Sequence, residues 1–192
     1  MKPSYILDSK GYAVFKKVLN IGCGNQTSPG TDFVDMYPMR KEVKKCDIEN
    51  ERLPYDNNVF DEVYSENFFE HLKNPSNALK EMKRVLKHGG KLVVITDNAG
   101  FWGFHVAGAT THYGGYEKNN KNFFGKMDRH FGLFTPWHLT NYFEDIGLKK
   151  VSYEYLLVKV KNPFWYVRLI SNMISIVTKR IGKSQIRIEG VK

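Results

Sequence analysis

The sequence predicts an α/β domain: a doubly wound, mostly parallel sheet with helices on both faces and an aromatic-rich insert after the fifth strand. Three observations carry this expectation. Short strand-like runs alternate with helical patterns, the mark of a parallel sheet covered by helices. The run V-L-N-I (18–21) stops on Gly22-Cys23-Gly24, a glycine turn at the exit of a buried strand. Lys91 to Thr96, K-L-V-V-I-T, is apolar without alternation, as strands buried on both faces are. With 192 residues, 42% of them hydrophobic, the chain can bury one full core as a single domain.

The elements follow in order. The first strand is Lys17 to Ile21, and the second is Asp32 to Met36, stopped by Tyr37-Pro38. A weak third is Val43 to Asp47, and the fourth is Phe60 to Ser65. Pro75 to His88 reads as a helix, with Leu79, Met82, Val85 and Leu86 at helical spacing and Gly89-Gly90 as its stop. The fifth strand is Lys91 to Thr96. Residues 97–134 then break the rhythm with Gly, Asn, His and aromatics, as a functional loop or lid does. Thr135-Pro136 opens a helix that runs to about Asp145 and stops at Gly147. Lys149 to Val160 reads as a long strand, 164–181 as an amphipathic helix and Gln185 to Val191 as a final strand.

Composition narrows the function classes. Two cysteines, Cys23 and Cys46, cannot build a disulfide framework or a four-thiolate zinc site. The first ten residues lack the apolar core of a signal peptide, and no run of about 18 apolar residues offers a spanning helix. A reducing cytoplasm is the expected compartment. A formal charge of +9 fits either an anionic partner or a well-solvated lysine-rich surface.

The glycine turn is the most informative segment. Glycine lets main-chain amides approach a ligand closely, at the strand ends where open α/β sheets bind ligands. Asp35 ends the second strand eleven residues after Gly24, where a carboxylate can accept both hydrogens of a ribose diol. Asp47-Ile48 follows the third strand and pairs an acceptor with an apolar wall, as an adenine requires. Cys23 reads as a small packing residue, not a nucleophile.

Together these motifs resemble the class I S-adenosylmethionine-dependent methyltransferases, whose fold is Rossmann-like. V-L-N-I-G-C-G resembles the family's first motif and F-V-D-M-Y-P its acidic second-strand end. The segment from C-D-I-E-N through S-E-N-F-F-E-H-L resembles the stretch through strand four, and A-L-K-E-M-K-R-V-L-K-H-G-G-K-L-V-V-I the helix and strand five. The resemblance implies S-adenosylmethionine as cofactor. Gly22, Cys23 and Gly24 would line its methionine part. Asp35, with Met36 beside it, would hold the ribose, and Asp47 and Ile48 would border the adenine. Ser65, Glu66 and Asn67 would sit beside the transferable methyl and the amino group. The chain departs from the family in one place. Only eight residues separate Gly24 from Phe33, too few for a crossover helix, so it resembles a sub-branch with a shortened first loop. Thr27 also breaks the G-x-G-x-x-G pattern of a nicotinamide enzyme.

Methyl transfer from a sulfonium needs alignment and exclusion of water first, and a base only where the acceptor must lose a proton. Candidate bases are Glu70, His71, His112, Tyr113 and His130; His71, His112 and His130 are the expected catalytic set. No metal is expected, because His105, His112, Asp128 and His130 follow no ligand spacing. The insert's rings could wall an apolar or sugar-stacking pocket. Strand four ends S-E-N-F and strand five T-D-N-A, so the Asx-Pro-Pro-aromatic motif of nucleic-acid amine methylation is missing. A small-molecule, glycan or lipid-linked acceptor is therefore expected over nucleic acid. The alternatives are a cofactor-binding but inactive relative and a basic nucleic-acid binder. Helix 164–181 starts Phe164-Trp165-Tyr166 and ends near Lys179-Arg180, a pattern that fits a cover over the cleft or a peripheral membrane contact.

Overall fold

The computed structural model describes residues 5–7, 13–105, 129–156 and 165–192. A short antiparallel hairpin, β1 (Tyr5–Leu7) and β2 (Ala13–Phe15), precedes the main sheet and was not expected from sequence. The sheet itself has seven strands: β3 (Val18–Ile21), β4 (Asp32–Asp35), β5 (Val43–Lys45), β6 (Phe60–Glu66), β7 (Leu86–Asp97), β8 (Lys149–Leu156) and β9 (Gln185–Val191). Their order is β5-β4-β3-β6-β7-β9-β8. The first five pair in parallel, and β9 runs antiparallel to both β7 and β8. This is the mostly parallel, doubly wound sheet the sequence predicts. Chain order reverses between β3 and β6, so the crevice at their carboxyl ends is the natural ligand site.

Two helices cover the core. Helix α1 (Pro75–Val85) buries Ala78, Leu79, Met82 and Val85, and α2 (Pro136–Asp145) buries Leu139 and Phe143. They touch one another and pack on β7, β8 and β9. Each large apolar side chain so buried stabilises the fold by about 1.5–3 kcal/mol. The Thr135 hydroxyl caps α2 by accepting the His138 amide, with Pro136 at the first helical position, as the sequence reads.

Helix α1 ends earlier than the glycine pair suggests. It stops at Val85, because Leu86 turns extended, pairs with Phe60 and is fully buried. Gly89-Gly90 instead lie in the register shift between Phe60↔Leu86 and Glu62↔Lys91. The freed carbonyls are met by the Lys192 ammonium, which donates to Lys83 O at 2.8 Å and Leu86 O at 2.7 Å.

The connections from β3 to β6 carry no helix; the short loop after Gly24 is as expected. The buried Asn20 holds it, donating to Pro29 O at 2.8 Å and Gln26 Oε1 at 3.3 Å. The expected amphipathic helix is two, α3 (Trp165–Val177) and α4 (Lys179–Gly182). His112, Tyr113, Asp128 and most of the insert lie outside the described residues, as do 157–164.

Candidate functional site

A cleft of about 870 Å³ opens at the carboxyl ends of β3, β4, β5 and β6. That is within the usual range of cofactor pockets, about 300–1,000 Å³. Its wall brings together Gly22, Gly24, Asp35, Met36, Asp47, Ile48 and Asn67 from the expected cofactor set, and His71 from the expected catalytic set.

Each is positioned by a local cause. Gly22 has φ +66°, and a Cβ there would stand 2.3 Å from the Phe68 ring, so only glycine admits that ring beside the strand end. The amides of Gly22 and Cys23 both point at Val34 O, which joins the turn to β4. Asp35 completes the joint. Its Oδ2 accepts the Gly24 amide at 2.9 Å and its Oδ1 the Tyr37 amide at 2.7 Å. Each carboxylate oxygen keeps a second lone pair for a ligand. The Asp47 carboxylate closes its own turn, accepting from the Glu49 amide at 3.2 Å and Asn50 Nδ2 at 2.8 Å. Ile48 is buried behind it.

Three expected residues lie off the cleft wall. Cys23 is buried in a small cluster with Phe33 and Val43, and burial together with the Asp35 charge pushes its thiol pKa up. It is a packing residue held protonated at neutral pH. Ser65 is fully buried within β6. Glu66 turns toward the first loop, accepting from Tyr64 Oη at 2.6 Å and Gln26 Nε2 at 3.4 Å. Ser65 is enclosed within the strand's packing, while Asn67, one residue past β6 with φ +51°, turns out of the pleat and lines the cleft. Asn67 Oδ1 also accepts from Gln185 of β9.

Several lining residues have no role assigned to them from sequence. Phe68, Arg129 and Phe131 reach the cleft through tertiary contacts, as do Lys73 and Asn74. Glu49 is the clearest such case. Its Oε1 accepts the amides of Lys73 at 2.7 Å and Asn74 at 2.6 Å, ahead of α1, and so braces the cleft floor. The only sequence hint is an acid following Asp47-Ile48.

Beside the cleft lies a polar cluster. The turn Phe69–His71 and the segment 129–132 are clamped together: Phe131 N and Gly132 N donate to Glu70 O at 2.8 and 3.2 Å. This brings the His71 and His130 rings edge to face with centroids 4.6 Å apart. His71 Nδ1 lies 3.1 Å from Arg129 O, and His130 Nδ1 lies 3.3 Å from Asp97 Oδ2. Glu70 is buried and accepts from Thr96 Oγ1 at 2.8 Å. Burial, reinforced by the Asp97 charge, pushes its carboxyl pKa up. The sequence places His71 and His130 in the expected catalytic set; that they meet is visible only in the fold.

Comparison with known proteins bears on the fold that holds this cleft. Residues 31–94 match the family model described as a methyltransferase domain. No curated protein matches the chain. Among solved structures, a SAM-dependent methyltransferase of Archaeoglobus fulgidus is 17% identical with TM-score 0.60, over 92% of this chain and 86% of its own. One from Thermotoga maritima is 19% identical with TM-score 0.61, over 93% and 83%. Phosphoethanolamine N-methyltransferase 2 of Haemonchus contortus, solved with S-adenosyl-L-methionine, is 16% identical with TM-score 0.53, over 92% and 48%. Residues 31–94, which cross the centre of the sheet, thus match a methyltransferase domain, and the chain shares its overall fold with solved SAM-dependent methyltransferases.

Proposed function

We propose that the protein transfers a methyl group from S-adenosylmethionine to a small-molecule, glycan or lipid-linked acceptor. The observation that carries this is the union, in one cleft, of the glycine turn, the Asp35 carboxylate, the Asp47-Ile48 wall and Asn67, on a methyltransferase fold. The cofactor would supply a methyl on a sulfonium, a leaving group that is already activated. Asp35 accepts the ribose hydroxyls with the lone pairs its backbone contacts leave over. Gly22 and Gly24 let the methionine part approach the main chain, and Asp47 and Ile48 border the adenine. The mixed walls of the cleft align the reactants and exclude water, which in well-ordered sites contributes about 7–11 kcal/mol of barrier reduction. His71, at the cleft edge, and His130 behind it would accept the proton that an acceptor heteroatom sheds when it is methylated. His112, in the insert, remains a candidate for the same role.

Calorimetry with S-adenosylmethionine and S-adenosylhomocysteine tests this. Wild type binds both, and Asp35→Ala loses about 1–3 kcal/mol of binding, the cost of unpaired ribose hydroxyls. Equal affinity in the variant, or no binding by wild type, overturns the reading.

A peripheral membrane contact through 164–181 is a second reading, favoured by α3. Tyr166, Leu169, Met173, Ile176 and Val177 are all exposed. Among the described residues no helix is long and apolar enough to cross a membrane. An interfacial helix on a lipid-facing enzyme accounts for that surface without a span.

A further inference from the structure

We infer that Glu70, His71 and His130 form a binding site for a divalent ion of the zinc class at the edge of the cleft. One potential ligand atom from each of the three lies within 4.8 Å of the others. Two neutral imidazoles and a carboxylate are a donor set that suits zinc and its neighbours and leaves a tetrahedral ion one open position. The spacing in sequence hides the site. Two ligands are consecutive on the Phe69–His71 turn, and the third arrives from the far end of the insert, clamped there by the main-chain bonds to Glu70 O.

The outer contacts are those a metal site needs. A ligating histidine ordinarily donates its other ring N–H to a carboxylate or carbonyl, which fixes ring orientation and tautomer. Here His71 Nδ1 faces the Arg129 carbonyl oxygen at 3.1 Å, and His130 Nδ1 faces Asp97 Oδ2 at 3.3 Å. With His71 Nδ1 protonated toward the Arg129 carbonyl, the lone pair of that ring resides on Nε2. Glu70 is oriented by the Thr96 hydroxyl at 2.8 Å. Two buried carboxylates, Glu70 and Asp97, beside two imidazoles are an arrangement in which a bound cation offsets like charge held away from water. Bonds of about 2.0–2.1 Å put tetrahedral ligands about 3.4 Å apart, so binding draws the three inward by about an ångström. Side-chain rotation at the partly exposed His71 can supply this.

His71 lines the cleft, so an ion held there would lie at the edge of the space that the proposed function assigns to the acceptor. An ion there would polarise an acceptor heteroatom in place of the base role of His71 and His130, whose lone pairs it would occupy, and that role, unlike ion binding itself, rests on the methyltransferase reading.

The test is titration of tag-free, chelator-stripped protein with zinc, cobalt and magnesium chlorides. Binding is followed by calorimetry and by the visible absorption of cobalt. The expected result is one equivalent of zinc, competitive cobalt binding with tetrahedral-type absorption, and no competition by magnesium. His71→Ala lowers zinc affinity at least ~100-fold, and Asp97→Asn lowers it about 10–100-fold through the outer contact. Circular dichroism checks that each variant is folded; should Asp97→Asn fail to fold, Thr96→Val is read in its place and also weakens binding. The site is overturned by the lack of a saturable single equivalent, or by unchanged affinity in His71→Ala. S-adenosylmethionine calorimetry on the same samples separates the two proposals. Cofactor binding without zinc binding removes the metal site alone, and zinc binding without cofactor binding removes the methyltransferase reading alone.

Discussion

Gly22 is the residue at which the whole cleft can be broken by one carbon. Its φ of +66° strains any L side chain, and the Phe68 ring occupies the place of a Cβ. Gly22→Ala must therefore displace Phe68 or bend the end of β3. The expected outcome is a loss of about 1–3 kcal/mol of stability, read by chemical denaturation, with cofactor affinity falling as well. Unchanged stability would mean that the ring yields at no cost. Gly22, Gly24 and Asp35 were legible in the sequence because their chemistry depends on local backbone and strand ends. Glu66 and Asn67 show where that legibility stops. Both follow strand four, yet the pleat sends one to the first loop and the other to the cleft, and a one-residue difference in strand end decides which. Glu49 and the His71–His130 contact were out of reach altogether, since they join segments brought together only by folding.

At the scale of elements, the sequence sees periodicity well and competition between elements poorly. The cap and both ends of α2 are as the sequence reads them, because Thr135, Pro136 and Gly147 act on their own neighbours. The end of α1 is misplaced because Leu86 is claimed by pairing with Phe60, a nonlocal contact that outweighs a glycine stop three residues on. Helix α1 is also tied outward. Glu81 accepts Arg84 Nε at 2.7 Å and the Leu53 amide at 2.8 Å, while Arg84 donates to Tyr55 O at 2.9 Å and Leu53 O at 3.1 Å. The Arg84 contact, with the Leu53 amide, holds the Glu81 carboxyl below its ordinary pKa of 4.5. The unfolded chain thus binds the proton more tightly, and protonation favours unfolding. The stabilisation is complete above the unfolded value and disappears as pH falls through the lower folded value. Glu81→Gln should flatten that part of the stability curve in acid while costing stability at neutral pH. Denaturant midpoints across acid pH measure it, and parallel wild-type and variant curves would refute it.

Over the whole molecule, charge and apolar exposure converge on one region. Between Glu154 and Glu189 the sequence has seven basic residues and no acidic one. Within the same stretch α3 leaves Met173 60%, Ile176 86% and Val177 87% exposed. A helix with such a face, followed by Arg180 and Lys183, would suit an anionic bilayer, with the apolar side chains entering the headgroup boundary and the cations meeting the phosphates. Each cation near such a surface contributes about 1 kcal/mol, attenuated by salt. The expected outcome in vesicle sedimentation is binding to phosphatidylglycerol-containing vesicles, weak binding to phosphatidylcholine alone, and release as ionic strength rises. Ile176→Glu with Val177→Glu should abolish binding and leave the thermal midpoint in place, since neither side chain packs into the core. Binding that survives the double substitution would place the contact elsewhere on the basic surface. Lack of binding to either vesicle would leave the acceptor to be sought among soluble molecules, because an enzyme that never meets a bilayer has no access to a lipid-linked one.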